Sequence, residues 1–374
     1  MLRLLWSALC VHMIPSLPVY TEQSVLLFSP GSSSSRHPAL NALNTSSSSS
    51  YVRLPSHHHR TAASPPAPGN STFSMFMKTF SRKYPAGSQI LMERYQTFLE
   101  SLQRHKYLNS FAYDSRDAYY GINQFSDLSV EEFYSTYLKS YLTMSQDYSI
   151  LNETSVRKDP LPLRFDWRDK NLVTQVKNQM DCGACWAFSI VGSVESVYAI
   201  NGHPLEDLSV QQVIDCSYLD RGCNGGSTSS ALKWLYQSQT KLVRSSEYSY
   251  KAKTGLCHYF PRTEFGVSIK RYDAYDFSNA EDEIMDMLIS VGPLAVIVDA
   301  ISWQDYLGGI IQHHCSSGHS NHAVLVVGFD KTGDPPYWIV KNSWGTSWGI
   351  DGYVHIKMGE NVCGIADFVT VPVI

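Results

Sequence analysis

Residues 178–189 constrain this chain most strongly, because a polar loop with two cysteines runs directly into an apolar helical pattern. From Trp186 onward, apolar residues recur at steps of three and four, which predicts a buried helix. Cys185 then lies at or just before the helix N-terminus, where free backbone N–H groups and the helix dipole stabilise an anion. A thiol placed there ionises more readily, and the thiolate is the form that attacks a carbonyl carbon. The segment therefore indicates a nucleophilic cysteine.

The same segment carries a family signature. Residues 182–186 read Cys-Gly-Ala-Cys-Trp and match the C-G-[SA]-C-[WY] pattern of papain and cathepsin peptidases. The run 121–127 matches the G-x-N-x-F-x-D motif of cathepsin propeptides, and the surroundings of His322 and Asn342 follow in family order. The chain thus resembles the papain-like cysteine peptidases over both propeptide and mature domain. The resemblance implies an α+β fold with a helical left lobe, a β-barrel-like right lobe and an active-site cleft between them, preceded by a helical inhibitory propeptide.

The resemblance also implies a catalytic group around Cys185. His322, 137 residues later, would act as the base, and Asn342, a further twenty residues on, would accept from one ring nitrogen and fix the tautomer. The other ring nitrogen would then face the sulfur. Gln179 and the Cys185 backbone N–H would bind the oxyanion that develops on the substrate.

Cys182 and Cys185 also spell the C-x-x-C motif of thiol–disulfide oxidoreductases. That alternative lacks the strand that precedes the motif in a βαβ unit, and it gives His322 and Asn342 no role. Without Cys185, six cysteines remain after residue 180, an even number that suits an oxidising compartment, and six cysteines allow 15 pairings. The family resemblance implies three pairs, which are Cys182–Cys223, Cys216–Cys257 and Cys315–Cys363.

Substrate contacts are likewise implied by the resemblance. The glycine loop ending in Gly225 and Gly226 would pair its bare backbone with an extended peptide. Asn321 and Trp344 would border the site beside His322. Phe368 lies where the family places the floor of its main side-chain pocket, so a shallow pocket for small or medium apolar side chains is expected. Met180 replaces a common glycine and predicts a bulkier rim beside the oxyanion site.

The N-terminal part is predicted to be processed or unstructured. Residues 1–20 contain a short apolar run with one early arginine, which predicts a signal peptide and is too short to span a membrane. Residues 21–72 are rich in serine and proline and are expected to form a disordered spacer. The His57–His59 triplet there is interpreted as part of this low-complexity tract, and no metal or cofactor is predicted. N-glycosylation sequons stand at Asn44, Asn70 and Asn152.

Residues 73–160 are predicted to form the inhibitory propeptide, with one or two amphipathic helices within 73–110. Its helix departs from the family motif at three positions, where the usual acidic residue, asparagine and isoleucine are replaced by Ile90, Ser101 and His105. These departures put in doubt the salt-bridge pattern usual for this helix.

Residues 161–374 are predicted to form the mature peptidase domain. Helical patterns come first, and the spacing of Ser209 and Gln212 suggests a capping box. Later segments have short, β-rich patterns, at 294–298, 323–329, 337–341 and 353–357. Helices followed by strands are typical of an α+β fold.

Charge and resemblance together define the expected partners. The formal net charge of −4 argues against a nucleic-acid partner. Protein and peptide substrates, the chain's own propeptide and cystatin-type inhibitors are the partners implied, for a monomer without a membrane span. The family resemblance implies a zymogen that follows the secretory pathway to the lysosome or to the cell exterior. An alternative function is a catalytically silent relative that only binds peptides, although intact Cys185, His322, Asn342 and Gln179 argue against it.

Overall fold

The fold is taken from a computed structural model, which describes residues 71–142, 160–258 and 265–374. The predicted signal peptide, residues 21–70 of the predicted spacer, the sequons at Asn44, Asn70 and Asn152, and most of the predicted linker before residue 160 lie outside the described residues. The first described helix begins at Ser71, two residues before the predicted start of the propeptide at residue 73.

The described residues form seven α-helices: α1 (Ser71–Thr79), α2 (Gln89–Asn109), α3 (Val130–Tyr137), α4 (Cys185–Ile200), α5 (Val210–Cys216), α6 (Thr228–Ser238) and α7 (Glu283–Ser290). Local capping fixes several of their starts. Ser88 caps α2, and Ser129 with Glu132 forms a reciprocal capping box on α3. Within the three described ranges, no helix combines the length and apolar character that a membrane crossing requires.

The capping box predicted for α5 is only half formed. Ser209 accepts a hydrogen bond from the Gln212 backbone N–H at 3.0 Å, as the spacing suggested. The Gln212 side chain does not return to the cap; it accepts from the Val243 backbone and donates to the Lys241 carbonyl. Gln212 is buried, so its amide satisfies the backbone of a neighbouring segment instead.

Ten strands follow in the same ranges: β1 (Tyr119–Tyr120), β2 (Arg164–Asp166), β3 (Arg271–Tyr275), β4 (Leu294–Val298), β5 (Tyr306–Gly308), β6 (Ile310–Ile311), β7 (His322–Asp330), β8 (Tyr337–Lys341), β9 (Tyr353–Lys357) and β10 (Val369–Val373). Eight form one sheet in the order β3-β10-β4-β7-β8-β9-β6, with β2 also paired to β7. The β6–β9 pair is parallel, and the other pairs are antiparallel. β1 and β5 form a separate two-stranded sheet.

Helix α4 is the centre of the mature domain. Only Tyr198 and Ile200 of its sixteen residues are not fully buried. Gly192 permits close packing on β7, because a Cβ there would lie 3.1 Å from Leu325 Cδ2. One hydrophobic cluster surrounds α4, and a second fills the other face of the sheet. The N-terminus of α4 and the start of β7 are thereby fixed relative to each other.

Three disulfides hold the loops of the mature domain, and they join Cys182 to Cys223, Cys216 to Cys257 and Cys315 to Cys363. Cys185 is a free thiol. The disulfide at Cys182 anchors the loop directly before α4.

The predicted propeptide region has a small hydrophobic core of its own. α1 and α2 share a cluster of aromatic and aliphatic side chains that includes Phe73, Phe76 and Phe98. Arg94 forms an ion pair with Glu132 of α3, at 2.6 Å, and donates to the Asp127 carbonyl at 2.9 Å. These two contacts hold α2 to α3 and to the turn before it.

Asp305 forms a buried electrostatic contact between α2 and the peptidase domain. Its carboxylate receives the Arg104 guanidinium through two nitrogens, and His105 Nε2 lies 3.0 Å from Oδ1. Burial alone would raise the pKa of Asp305, but hydrogen bonds from His105 and Arg104 outweigh it and lower that pKa. His105, which replaces the family's isoleucine, thus joins an ion pair across the interface.

Asp305→Asn is expected to loosen α2 from the peptidase domain. Removing one partner of a buried ion pair costs about 3 kcal/mol, which corresponds to roughly a hundredfold faster exchange of α2 amide hydrogens. The carboxylate pKa is depressed in the folded state, so its contribution is present above the unfolded value of about 3.9 and is lost as the pH falls through the folded value. The difference from wild type should therefore persist at about pH 5, which lies above both carboxylate pKa values.

Asp169→Asn is a matched control, because Asp169 forms an exposed ion pair with Arg164 away from α2. Its α2 exchange should equal that of wild type. This account of the interface would be contradicted if the α2 amides of Asp305→Asn exchanged as slowly as those of the wild type. It would also be contradicted if the difference in exchange rate disappeared at pH 5.

Candidate active site

Cys185 is the first residue of α4, and its side chain is buried. The preceding loop turns tightly beneath it: the Gly183 N–H donates to the Cys223 carbonyl at 3.0 Å, and a Cβ on Gly183 would lie 2.6 Å from that oxygen. Only glycine fits this close approach. The backbone N–H groups of Trp186 and Ala323 interact with the thiol, and Ala323 directly follows His322. The sulfur therefore sits between the start of α4 and the start of β7.

His322 and Asn342 meet because β7 and β8 are antiparallel neighbours. His322 is the first residue of β7, Asn342 follows the last residue of β8, and His322 Nε2 lies 2.8 Å from Asn342 Oδ1. The other ring nitrogen, Nδ1, is buried and has no hydrogen bond of good geometry within the described part of the chain, although the Tyr137 backbone lies close enough to affect the pKa of the ring. Asn342 therefore binds one ring nitrogen, Nε2, and leaves the other, Nδ1, for a different partner.

Tryptophans cover this pair. The Trp344 ring stacks on His322 with centroids 4.7 Å apart, and Trp348 meets Trp344 edge-on at 4.7 Å. Both tryptophans are fully buried. Trp303 adds a third ring, 6.2 Å from His322, which the sequence alone did not indicate. Exclusion of water by these rings strengthens the His322–Asn342 hydrogen bond.

Gln179 is held rigidly beside the sulfur-bearing loop. Its Oε1 accepts from Ser343 Oγ at 2.6 Å and its backbone carbonyl accepts from the Tyr250 hydroxyl at 2.6 Å. Because Oε1 is used as an acceptor, the amide is oriented with Nε2 as the donor. Nε2 donates to the Cys182 carbonyl at 2.9 Å and to the Tyr137 carbonyl at 3.3 Å. Gln179 Nε2 therefore points at the carbonyl of a peptide that crosses the site.

Residues 137–141 are that peptide. The Ser140 N–H donates to the Asn321 carbonyl at 3.0 Å. Gly226 donates to the Lys139 carbonyl at 3.2 Å and accepts from the Tyr141 N–H at 3.1 Å, as in a short parallel bridge. A Cβ on Gly225 would lie 2.5 Å from the Lys139 carbonyl oxygen, so glycine is required for this approach. The segment thus occupies the groove between Gly225–Gly226 and Asn321.

Burial of the site favours the neutral forms of both reactive groups. Burial raises the pKa of the Cys185 thiol, although backbone N–H groups of Ala323, Lys139, Trp186 and Ser140 oppose the rise. Burial lowers the pKa of His322 to about 4, with Asn342 and the Tyr137 backbone acting in the opposite direction. Both shifts disfavour a thiolate–imidazolium pair while residues 137–141 are in place.

A buried charge network lies behind the site. Glu195, the one ionisable carboxylate within α4, accepts from Lys177 Nζ at 2.7 Å and from Thr174 Oγ1 at 2.5 Å. Lys341, next to Asn342, donates to the Thr174 carbonyl at 2.7 Å, and burial lowers the pKa of Lys341 to about 8. The network ties α4 to the end of β8. Sequence reasoning missed it, although a lone Glu in an apolar helix and a Lys at the end of an apolar strand were the available signals.

Two predicted residues remain: Phe368 lies in the core, and Met180 lies at the surface. Phe368 is 1% exposed and belongs to the hydrophobic cluster around α4. Met180 lies at the rim with 56% of its surface exposed, and its backbone has a φ of 49°. That left-handed conformation explains why a glycine suits the position.

Comparison with known proteins decides the family. Residues 161–373 match the papain family of cysteine proteases, and residues 73–133 match the cathepsin propeptide inhibitor domain. The chain belongs to the papain family of cysteine proteases. It is a cysteine protease with a cathepsin-type propeptide, as the motifs at 121–127 and 182–186 predicted.

This papain-family protease is similar to cathepsin O. It is 65% identical to human cathepsin O over 274 residues, which cover 73% of this chain and 85% of the human protein, and 58% identical to the mouse protein over 270 residues (72% and 86%). From the sequence alone, the runs 204–209 and 302–309 indicated that resemblance. Its fold resembles procathepsin L2 from Tenebrio molitor larval midgut, with a TM-score of 0.72, 31% identity and coverage of 81% of this chain and 99% of that one.

Met180→Gly is expected to stabilise the folded protease. A left-handed backbone costs an L-residue about 1–2 kcal/mol, and part of this gain is offset because glycine has greater freedom in the unfolded chain. The net increase in the free energy of unfolding should be about 0.5–1 kcal/mol, measured by denaturant unfolding in a Cys185→Ser background.

Met180→Ala is the matched control, because alanine removes the same side chain and keeps the Cβ that opposes a positive φ. It should leave stability near that of Met180. Equal effects of alanine and glycine would show that backbone conformation is not the cause.

Proposed function

We propose that the chain is the zymogen of a cysteine endopeptidase whose nucleophile is Cys185 and whose acid–base residue is His322. The observation that carries the proposal is the peptide 137–141, which lies across Cys185 with its Tyr137 carbonyl on Gln179 Nε2. A site that binds an extended peptide beside a thiol, an imidazole and a carbonyl-directed amide is suited to acyl transfer.

Catalysis would start once residues 137–141 leave the groove. Solvent then reaches Cys185 and His322, and the transfer of the thiol proton to the imidazole is no longer opposed by burial. The thiolate attacks the substrate carbonyl carbon, and the oxygen takes up negative charge between Gln179 Nε2 and the Cys185 N–H. Each such donor contributes about 2.7–4 kcal/mol in other hydrolases.

His322 then completes the two half-reactions. It gives its proton to the leaving amine, so that the C–N bond breaks and an acyl-enzyme thioester remains on Cys185. It next accepts a proton from water, whose oxygen attacks the thioester and releases the acid product. Asn342 keeps Nε2 engaged, so Nδ1 faces the sulfur throughout.

The propeptide would escape cleavage because it presents the wrong atoms. The backbone N–H groups of Lys139 and Ser140 interact with the sulfur. The Tyr137 carbonyl that reaches Gln179 belongs to a residue two positions away. The segment therefore fills the site without placing a scissile bond over the nucleophile.

Substrates would use the contacts that residues 137–141 make. Gly225 and Gly226 are assigned to main-chain pairing, the Asn321 carbonyl to a substrate N–H, and Trp344 to the surface beside His322. Removal of a propeptide ending near residue 160, N-glycosylation at Asn44, Asn70 and Asn152, and a location in the lysosome or outside the cell remain proposals of the same account. Cathepsin relatives support a secretory-pathway protein in general terms.

Incubation of the proprotein in mild acid, followed by a peptidyl epoxide label, tests the proposal. A mature-sized band should be labelled through Cys185, because the exposed thiolate opens the epoxide. A Cys185→Ser protein, matured by an added protease, is the control and should remain unlabelled. Release of the propeptide without labelling of the wild type would favour the silent peptide-binding alternative.

Phe368→Ala tests the predicted pocket floor. Removing a buried ring opens space, so the mature variant should accept larger apolar side chains, and its kcat/KM for bulky over small residues should rise about tenfold. Active enzyme is counted by epoxide titration, which separates a change in preference from a loss of folded protein. An unchanged preference would remove Phe368 from the pocket.

A further inference from the structure

Asp181 lies at the rim of the site and binds the propeptide residue that covers it. The Tyr137 hydroxyl donates to Asp181 Oδ1 at 2.8 Å, while the Tyr137 backbone carbonyl accepts from Gln179 Nε2. Tyr137 therefore bridges Gln179 Nε2, the proposed oxyanion donor, and Asp181. The Asp181 carboxylate lies within the reach of one tyrosine residue from that nitrogen.

The Tyr137 ring rests on Trp344. Their centroids are 6.4 Å apart at 74°, and Phe125 and Phe133 of the propeptide complete the cluster. Those two phenylalanines leave with the propeptide. The Trp344 face and the Asp181 carboxylate remain as the walls of an open notch, which we call the Asp181–Trp344 notch.

The chemistry assigns this notch to the leaving-group side of the scissile bond. His322 must reach the leaving nitrogen to protonate it, and Trp344 stacks on His322. Gly226 pairs with the bound peptide on the far side of the sulfur, through Lys139 and Tyr141. A substrate residue in the notch would therefore be the first one after the scissile bond.

Asp181 is available to such a residue. Its side chain is exposed, and within the described residues no cation lies at ion-pair distance from it. Its hydrogen bond to Tyr137 ends when the propeptide leaves. An exposed carboxylate beside an aromatic face suits a long side chain that ends in a donor, because a cation or phenol can pack on Trp344 and bind the carboxylate together.

We propose that Asp181 is a specificity-determining residue that selects tyrosine, lysine or arginine at the first position after the scissile bond. The inference rests on the proposed peptidase function, and it concerns only which peptides that site takes. Glutamate at this position should be disfavoured by charge repulsion, and phenylalanine or leucine lacks the donor.

Internally quenched peptides that share the same sequence before the scissile bond test the proposal. They carry tyrosine, phenylalanine, lysine, leucine or glutamate after the scissile bond, and mass spectrometry verifies the cleavage position. For the mature wild type, kcat/KM should favour tyrosine over phenylalanine and lysine over leucine by about three- to tenfold, the range for a hydrogen bond to a partly exposed charged group. The lysine preference should shrink at high salt.

Two substitutions at the exposed Asp181 sharpen the test. Asp181→Asn should bring the lysine-to-leucine ratio close to one, and Asp181→Lys should make glutamate the better substrate over lysine. Ratios near one in the wild type, or ratios that neither variant changes, would overturn the assignment. Failure of the wild type to bind the epoxide label or to cleave any peptide would instead count against the proposed function itself.

Discussion

The packing of α4 on β7 is the contact on which the site depends. It places a thiol at the start of a buried helix beside the first residue of a central strand, where the Ala323 N–H reaches the Cys185 sulfur. Gly192 allows the two elements to approach closely at Leu325. The Glu195–Lys177 ion pair adds a polar tie between α4 and the segment that precedes it. The nucleophile and the imidazole are thus fixed by the core rather than by mobile loops.

The propeptide turns this rigid arrangement off by covering it. Residues 137–141 supply main-chain groups to Gly226, Asn321 and Gln179, so they satisfy the groove with the kind of contacts a substrate would make. The same coverage removes water from the thiol and the imidazole and favours their neutral forms. Residues 137–141 therefore inhibit in two ways: they block the groove, and they disfavour the charged forms of the thiol and the imidazole. The buried Asp305 contacts with Arg104 and His105 hold α2 of the propeptide on the peptidase domain.

Local features were predictable from the sequence, and long-range polar pairs were not. The start of α4 at Cys185, the cap at Ser209 and the strands around 294–298 and 353–357 follow from periodicity and capping chemistry. The His105–Asp305 contact joins residues 200 positions apart, and the departure at His105 alone gave no indication of its partner. The same holds for Asp181, which is unremarkable in sequence until Tyr137 lies against it. Motif spacing predicted Cys185, His322, Asn342 and Gln179, whose catalytic roles stay predictions.

The central claim is that residues 137–141 keep Cys185 protonated and that their removal permits a thiolate. The ultraviolet absorbance of the thiolate, taken as the difference between wild type and Cys185→Ser, measures this directly across pH 4 to 9. In the proenzyme no thiolate signal should appear at neutral pH. In the mature enzyme the signal should already be present in mild acid, because His322 then carries the proton. A thiolate in the intact proenzyme at neutral pH, or none in the mature enzyme there, would contradict the account.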